Sequence, residues 1–160
     1  TPTSRGLDGL ELRSNWKYRK RDFYRAAIEN IQSRGITLNG CFVLGLDGDT
    51  EEAFDLIPRF VEDTALYDVQ VTVQTPFPGT PLYWRLLEAG RLIEPRNWRR
   101  CSLFDVNFQP VHMTAERLEE RFRDLVAELY NNETLARRHR RFVEVYGGRF
   151  RQAHTPALVA

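Results

Sequence analysis

Cysteine is scarce in this 160-residue chain. There are two, Cys41 and Cys101, too few to ligate a metal cluster by themselves or to build a disulfide framework. A reducing, cytoplasmic setting is the corresponding expectation. Methionine is scarcer: Met113 stands alone, so the chain as written carries no initiator, which was either removed or never belonged to this segment. No stretch approaches the roughly 20 uninterrupted apolar residues of a membrane span, and no basic-then-apolar leader opens the sequence. Neither a membrane-embedded nor a secreted protein is expected. His112, His139 and His154 lack the spacing of metal ligands. Neither G-x-G-x-x-G nor G-x-S-x-G occurs, which argues against a dinucleotide-binding oxidoreductase and against an α/β-hydrolase.

What is present suits one globular domain of ordinary size: 42% apolar residues, 28% charged, with three Trp, six Tyr and ten Phe to fill a core. The net charge of +1 gives no general reason to expect a nucleic-acid or membrane partner. Its distribution is uneven, at +4 over residues 1–34, −7 over 35–132 and +4 over 133–160.

Residues 1–20 read as an irregular, basic connection. Tyr24, Ala27, Ile28 and Ile31 recur at one helical face, predicting a helix over 21–34 that Gly35 terminates. The near-continuous apolar run Ile36–Leu46 reads as a parallel strand buried on both faces, with Cys41 as a small core residue. Asp49-x-x-Glu52 has the form of a capping box. Ala53, Phe54, Ile57, Phe60 and Val61 then mark a helix to about Asp63, which Pro58 should kink. Asp68–Gln74 alternates as a second strand with Val69, Val71 and Val73 inward. Strand, crossover helix and strand form the parallel unit of α/β folds. Thr80-Pro81 starts a short helix, Leu82–Ala89, that ends at Gly90. Residues 102–108 could form a short strand. Thr114 caps a helix to about Tyr130, and a last helix over 133–146 uses Leu135, His139, Phe142, Val143 and Tyr146 before stopping at Gly147-Gly148. Two strands are too few to complete a sheet or barrel, so exposed parallel edges are expected.

Several clusters have mundane readings. The Asp47/Asp49 pair at a helix start is read as a cap rather than a cation site. The run Arg137–Arg141 lies on one helix face without a stacking platform and is read as a solvated or docking face rather than a nucleic-acid site. Two strand-to-helix junctions stand out: Asn39–Thr50, with glycines at 40, 45 and 48, and Gln74–Tyr83, with three prolines and a glycine. In a parallel layer both lie at the carboxyl ends of adjacent strands, where ligands bind.

The string Gly35–Thr50, followed about 25 residues later by Thr75-Pro76-Phe77-Pro78-Gly79-Thr80-Pro81-Leu82-Tyr83, resembles the back half of a radical S-adenosylmethionine (SAM) enzyme of the Fe-S oxidoreductase type. Within that group it is most similar to the class with an N-terminal cobalamin-binding domain, which includes relatives acting on porphyrins and hopanoid lipids. Arg13–Lys17 and Pro110–Thr114 fit the same pattern, so the likeness covers roughly 1–131. The resemblance implies an α/β fold that is the C-terminal part of a partial (β/α)6 TIM-like barrel, contributing the last two parallel strands and their helices, plus a C-terminal helical subdomain. It implies that SAM and a [4Fe-4S] cluster serve the parent enzyme, with cobalamin a further cofactor of the class. Val43 and Gly45, at the end of the fifth barrel strand, would contact the adenine. Gln74 and Thr75, at the end of the sixth, would close the pocket, and Asn15 and Lys17 would lie near the methionine carboxylate. The cluster-binding CxxxCxxC is missing from this chain, so the chain alone is expected to be inactive.

The expected organisation is therefore the back half of the barrel over 1–90, a helical subdomain over 91–148 and a tail over 149–160. The expected partners are the N-terminal half of the same protein and a small-molecule substrate. A non-native homodimer through exposed strand edges is a further expectation. The other reading is a non-catalytic binding or scaffold module derived from a half-barrel.

Overall fold

Alternating apolar residues decide where the sheet faces. In β1 (Asn39–Leu44) and β2 (Asp68–Val73), Phe42, Leu44, Val69, Val71 and Val73 are buried. The structure, a computed structural model, describes residues 23–153, with side chains described over 23–148. The two strands run parallel in the register Asn39↔Asp68 to Leu44↔Val73, which places all five of those side chains on one face. Between them runs α2 (Glu52–Asp63), whose Ala53, Phe54, Ile57 and Val61 cover that face. The helix passes unbroken through Pro58. Before β1 lies α1 (Tyr24–Gln32). After β2 come α3 (Pro81–Glu88), a 3-10 turn at Trp98–Arg100, α4 (Ala115–Tyr130) and α5 (Asn132–Ala153). Leu118, Phe122, Leu125 and Leu129 of α4 join the same core as the sheet, with Val106 and Phe108 from the preceding segment.

Both predicted proline or threonine helix starts form. Thr80 and Thr114 cap α3 and α4, their hydroxyls accepting from Tyr83 N at 3.2 Å and Arg117 N at 3.1 Å. Four expectations about the elements themselves need correction. First, β1 is buried on one face only: Cys41 and Val43 are exposed, because among the described residues no second helix layer covers them and they line a groove instead. Second, the regular helix begins later than a cap at Asp49 would set it, at Glu52 behind Glu51. Asp49 is buried, and its carboxylate accepts from Leu46 N at 3.1 Å, closing the turn after β1. Third, residues 102–105 turn rather than extend, because the Ser102 hydroxyl accepts from the amides of both Phe104 and Asp105 while Leu103 takes a φ of 70°. Fourth, α5 continues through Gly147-Gly148 to Ala153, since Phe142 and Tyr146, packed on Ala65 and Tyr67, hold the turn before the glycines. Val143 is exposed on the other side.

Three polar side chains knit the layers together. Gln32, fully buried, donates from Nε2 to the carbonyls of Thr64 (3.2 Å) and Ala65 (3.1 Å) and accepts at Oε1 from Tyr67 N (3.2 Å). Thus α1 is pinned to the turn that feeds β2, and Gln32 is the buried residue of α1, whose Ala27 is exposed. Arg138 is not solvated with its neighbours Arg137, Arg140 and Arg141. It is 4% exposed and donates to the carbonyls of Tyr67 and Leu129 while facing Asp68 at 3.5 Å. Tyr130 ends α4 against the outer edge of β2, where its hydroxyl donates to Val69 O at 3.0 Å and accepts from Val71 N at 3.3 Å. Next to it, Leu103 O accepts from Val73 N at 2.8 Å. The β2 edge is therefore covered, against the expectation that both edges lie open.

A surface network ties α4 to α2. Arg117 grips both carboxylate oxygens of Glu51, at 3.0 and 2.6 Å. That hydrogen bonding holds the Glu51 carboxyl below the ordinary glutamate value, partial desolvation opposes it, and the charges of Arg117 and Arg121 add to the lowering.

Two outcomes follow from these contacts. Tyr130→Phe deletes one oxygen that serves two buried-edge backbone groups, and should lower the unfolding free energy by about 1–3 kcal/mol, read by chemical denaturation. Because the folded pKa of Glu51 is the lowered one, its pairing stabilises the fold above the unfolded-state pKa and is lost as pH falls through the folded value. The Glu51 carboxyl resonance should titrate below 4.5, and Arg117→Ala should move it upward.

Candidate functional site

The uncovered face of the sheet, together with α1, forms an apolar groove of about 700 Å³. Tyr24, Ile28 and Ile31 of α1 make one wall, the face and edge of β1 the floor, and Thr72 to Thr75 with Leu103 the far end. Three of the residues singled out from sequence meet here: Val43, Gln74 and Thr75. They do so because the register sets the ends of β1 and β2 side by side, a relation sealed by Gln74 N donating to Leu44 O at 2.8 Å.

Gln74 is the informative one. It is 7% exposed, and its Oε1 is buried with no hydrogen-bond partner among the described residues, an arrangement that costs free energy unless something supplies a donor. Thr75, equally buried, is self-sufficient, its hydroxyl donating to Val73 O at 3.0 Å. Val43, 37% exposed, offers an apolar contact.

Gly45 lies elsewhere. Its backbone turns at φ +84°, and a Cβ added there would come within 2.9 Å of both Leu118 and Phe108. The groove lining does not include it. It shapes the exit from β1 by letting the chain pass close over the core. Asn15 and Lys17 lie outside the described residues.

The acidic turn is spent on structure. Asp47 pairs with Arg85 at 3.0 Å and Arg91 at 2.9 Å, and Asp49 closes its own loop. Among the described residues no group of three or more His, Cys, Asp or Glu is placed to hold a metal. No helix among them is long and apolar enough to cross a membrane.

Sequence reasoning missed the α1 wall and Leu103. The helical stripe of Tyr24, Ile28 and Ile31 was legible, but periodicity cannot say whether a stripe faces a core or a cavity. Leu103 comes into place through a turn with positive φ in a residue other than glycine, which no local pattern announces.

Two parallel strands joined by a crossover helix define an α/β protein, and its groove runs along β1 to the carboxyl ends of both strands. Residues 80–159 match the family described as a domain of unknown function, DUF4070; this is half of the chain, and the chain belongs to that family. It is similar to the bacteriochlorophyllide d C-12(1)-methyltransferase of Chlorobaculum tepidum, 26% identical over 84% of this chain and 30% of that protein. It is also similar to the hopanoid C-2 methylase of Rhodopseudomonas palustris, 30% identical over 70% of this chain and 20% of that protein. A third relative is the ribosomal protein uS12 methylthiotransferase RimO of an Anaeromyxobacter species, 35% identical over 50% of this chain and 17% of that protein. The kinship with radical SAM enzymes of the cobalamin-binding class is borne out by these methyltransferases and methylthiotransferase. The chain spans less than a third of the length of each of these relatives.

A Gly45→Ala substitution tests the division of labour within the site. It should destabilise the fold by about 2–4 kcal/mol through overpacking and a strained φ, measured by denaturation, whereas a residue with a purely ligand-facing role would leave stability unchanged.

Proposed function

We propose that this chain is the C-terminal part of a radical SAM methyltransferase. In this reading it supplies the last two strands of a partial (β/α)6 TIM-like barrel, their helices and one wall of the adenosyl pocket, with residues 91–148 as a helical subdomain beside it. The observation that carries the proposal is the Gln74 Oε1, buried without a donor among the described residues, beside the groove at the carboxyl end of β2. An adenine presents an exocyclic amine, which is a donor of the kind that oxygen lacks. Val43 and Leu103 offer apolar surface to a flat ring in the same groove.

Bound beside a reduced iron–sulfur cluster, SAM supplies one-electron chemistry and a methyl donor. The part of this chain is to bind and orient: Gln74 fixes the adenine edge, Thr75 stays bonded to its own strand, and the apolar walls exclude water. The residues present do not fit the cluster itself. The two cysteines stand 60 positions apart, one on the groove face of β1 and one after the 3-10 turn, and both are free. Cluster ligands, and any cobalamin-binding segment, belong in this reading to the protein beyond these residues, which is also where the substrate specificity lies. The partner of the chain is then the remainder of its own polypeptide, and its substrate a small molecule. A scaffold role has no use for a buried acceptor left without a donor.

The test starts with the reading frame upstream of Thr1, where a CxxxCxxC motif is expected; a stop codon there would overturn the proposal. The full-length protein, anaerobically reconstituted, should convert SAM to 5′-deoxyadenosine or S-adenosylhomocysteine under reducing conditions. Gln74→Leu should then raise the KM for SAM about tenfold, the equivalent of one lost hydrogen bond, with little change in kcat.

A further inference from the structure

Between residues 35 and 132 the chain is acidic, yet its positive charge there is concentrated in one place. Residues 80–101 hold five of that stretch's nine arginines and only two of its sixteen carboxylates. One of the two, Glu94, is paired with Arg100 at 3.0 Å. The other, Glu88, lies exposed one turn past Trp84. Both tryptophans among the described residues, Trp84 and Trp98, fall inside this cationic segment.

Tyr83 brings the two indoles onto one surface. Its ring is buried, with centroids 5.3 Å from Trp84 and 6.2 Å from Trp98, and its hydroxyl donates to Pro95 O at 2.6 Å. The approach to the 3-10 turn is thereby fastened to α3. Glu94 also accepts from Asn97 Nδ2 at 2.7 Å, and Arg100 donates to Val106 O at 2.9 Å, so the turn carrying Trp98 is braced on both sides. Even so, Trp84 and Trp98 remain 51% and 55% exposed, and Ile93 beside the turn 39%. Among the described residues neither indole N–H has a hydrogen-bond partner, and neither Arg96 nor Arg99, which flank Trp98, has an ion pair. A rigid mount that leaves two indoles in water adds little to the core and presents their N–H groups outward.

Indoles interleaved with free guanidinium groups have the composition of a membrane-interface surface. The rings enter at headgroup depth, the N–H groups meet headgroup oxygens and the cations meet lipid phosphates. We infer that Trp84, Trp98, Arg96 and Arg99 seat the protein on a bilayer surface that carries anionic lipids. Position favours this occupant over the rest of a larger polypeptide. Leu82 lines the groove, and Trp84, two residues on, projects about 200° further round the helix axis, on the side away from the groove and the proposed adenosyl pocket. Ring geometry disfavours nucleic acid: Trp84 stands at 87° and Trp98 at 48° to Tyr83, so the three rings share no plane on which bases could stack in succession.

The experiment uses the full-length protein with vesicles of phosphatidylcholine alone or of equal parts phosphatidylcholine and phosphatidylglycerol. Hydroxyl-radical footprinting, read at each residue by mass spectrometry, should find Trp84 and Trp98 freely oxidised in the protein alone and protected at least about fivefold on the mixed vesicles. Cosedimentation affinity for the mixed vesicles should exceed that for phosphatidylcholine alone. It should fall at least about tenfold in Arg96→Gln/Arg99→Gln, a change at exposed, unpaired side chains that leaves the fold intact, and by a similar factor in Trp84→Ala/Trp98→Ala. Arg96→Lys/Arg99→Lys should bind as the unsubstituted protein does, because a bilayer reads charge.

Indoles already protected without vesicles would overturn the proposal, by showing that the rest of the polypeptide covers them. So would a failure to sediment with the mixed vesicles, sedimentation that the glutamine substitutions leave unchanged, or protection gained only when single-stranded RNA replaces the vesicles. None of these readouts involves SAM, so the lipid surface stands or falls apart from the enzymatic reading.

Discussion

Burial of one face of a two-stranded parallel pair is the constraint on which everything else in this structure depends. Phe42, Leu44, Val69, Val71 and Val73 lie under α2 and α4, and a slip of one residue in either strand would turn that strand's apolar set toward the groove. With the register held, the ends of the strands align, Gln74 comes to rest beside Leu44 and Val43, and the polar and half-polar residues Cys41, Thr72 and Gln74 are collected on the opposite face. The groove is a by-product of the core: the same alternation that buries five side chains on one face leaves the other to line an open groove.

The polar clamps explain why so short a sheet keeps its geometry. Gln32 directs its side-chain hydrogen bonds at one turn, Thr64 to Tyr67, and Arg138 reaches the next residues along, Tyr67 and Asp68. Two buried polar side chains from helices at opposite ends of the described chain thus converge on the entrance to β2. A buried guanidinium satisfied by carbonyls orients α5 more narrowly than a hydrophobic contact would, because misalignment leaves a charge without partners. The nearly parallel stack of His139 on Tyr67, with centroids 4.3 Å apart, adds a second restraint at the same place.

Much of the fold was legible in the sequence, and the reasons for the exceptions are physical. Thr80-Pro81 and Thr114 marked helix starts because capping is local chemistry, and the alternation of Val69, Val71 and Val73 marked a strand because its burial is one-sided. The apolar run around Cys41 misled because hydrophobicity reports what a residue tolerates, and a groove wall is as apolar as a core. Gly147-Gly148 misled because a glycine pair weakens a helix by about 1 kcal/mol per residue without breaking its ladder. Of the residues that the family resemblance singled out, Val43, Gln74 and Thr75 share the groove because they sit at aligned strand ends, whereas Gly45 lies against the core. Tyr130, Gln32 and Arg138 carried no local signal. Their roles exist only once residues distant in sequence are brought together.

The covering of β2 by Tyr130 has a consequence for how the protein is made. Tyr130 lies 59 residues beyond Val71, so at ordinary translation speeds of roughly 5–20 residues per second the β2 edge stays bare for about 3–12 seconds after β2 itself has been synthesised. Through that interval the nascent sheet carries an unblocked edge, and the ribosome must complete α4 before the phenol can close it. Vectorial synthesis therefore leaves the side of the sheet nearest the C-terminus exposed longest, and a pause in translation between residues 74 and 130 would prolong the period in which a nascent chain can pair with its neighbour on the same message.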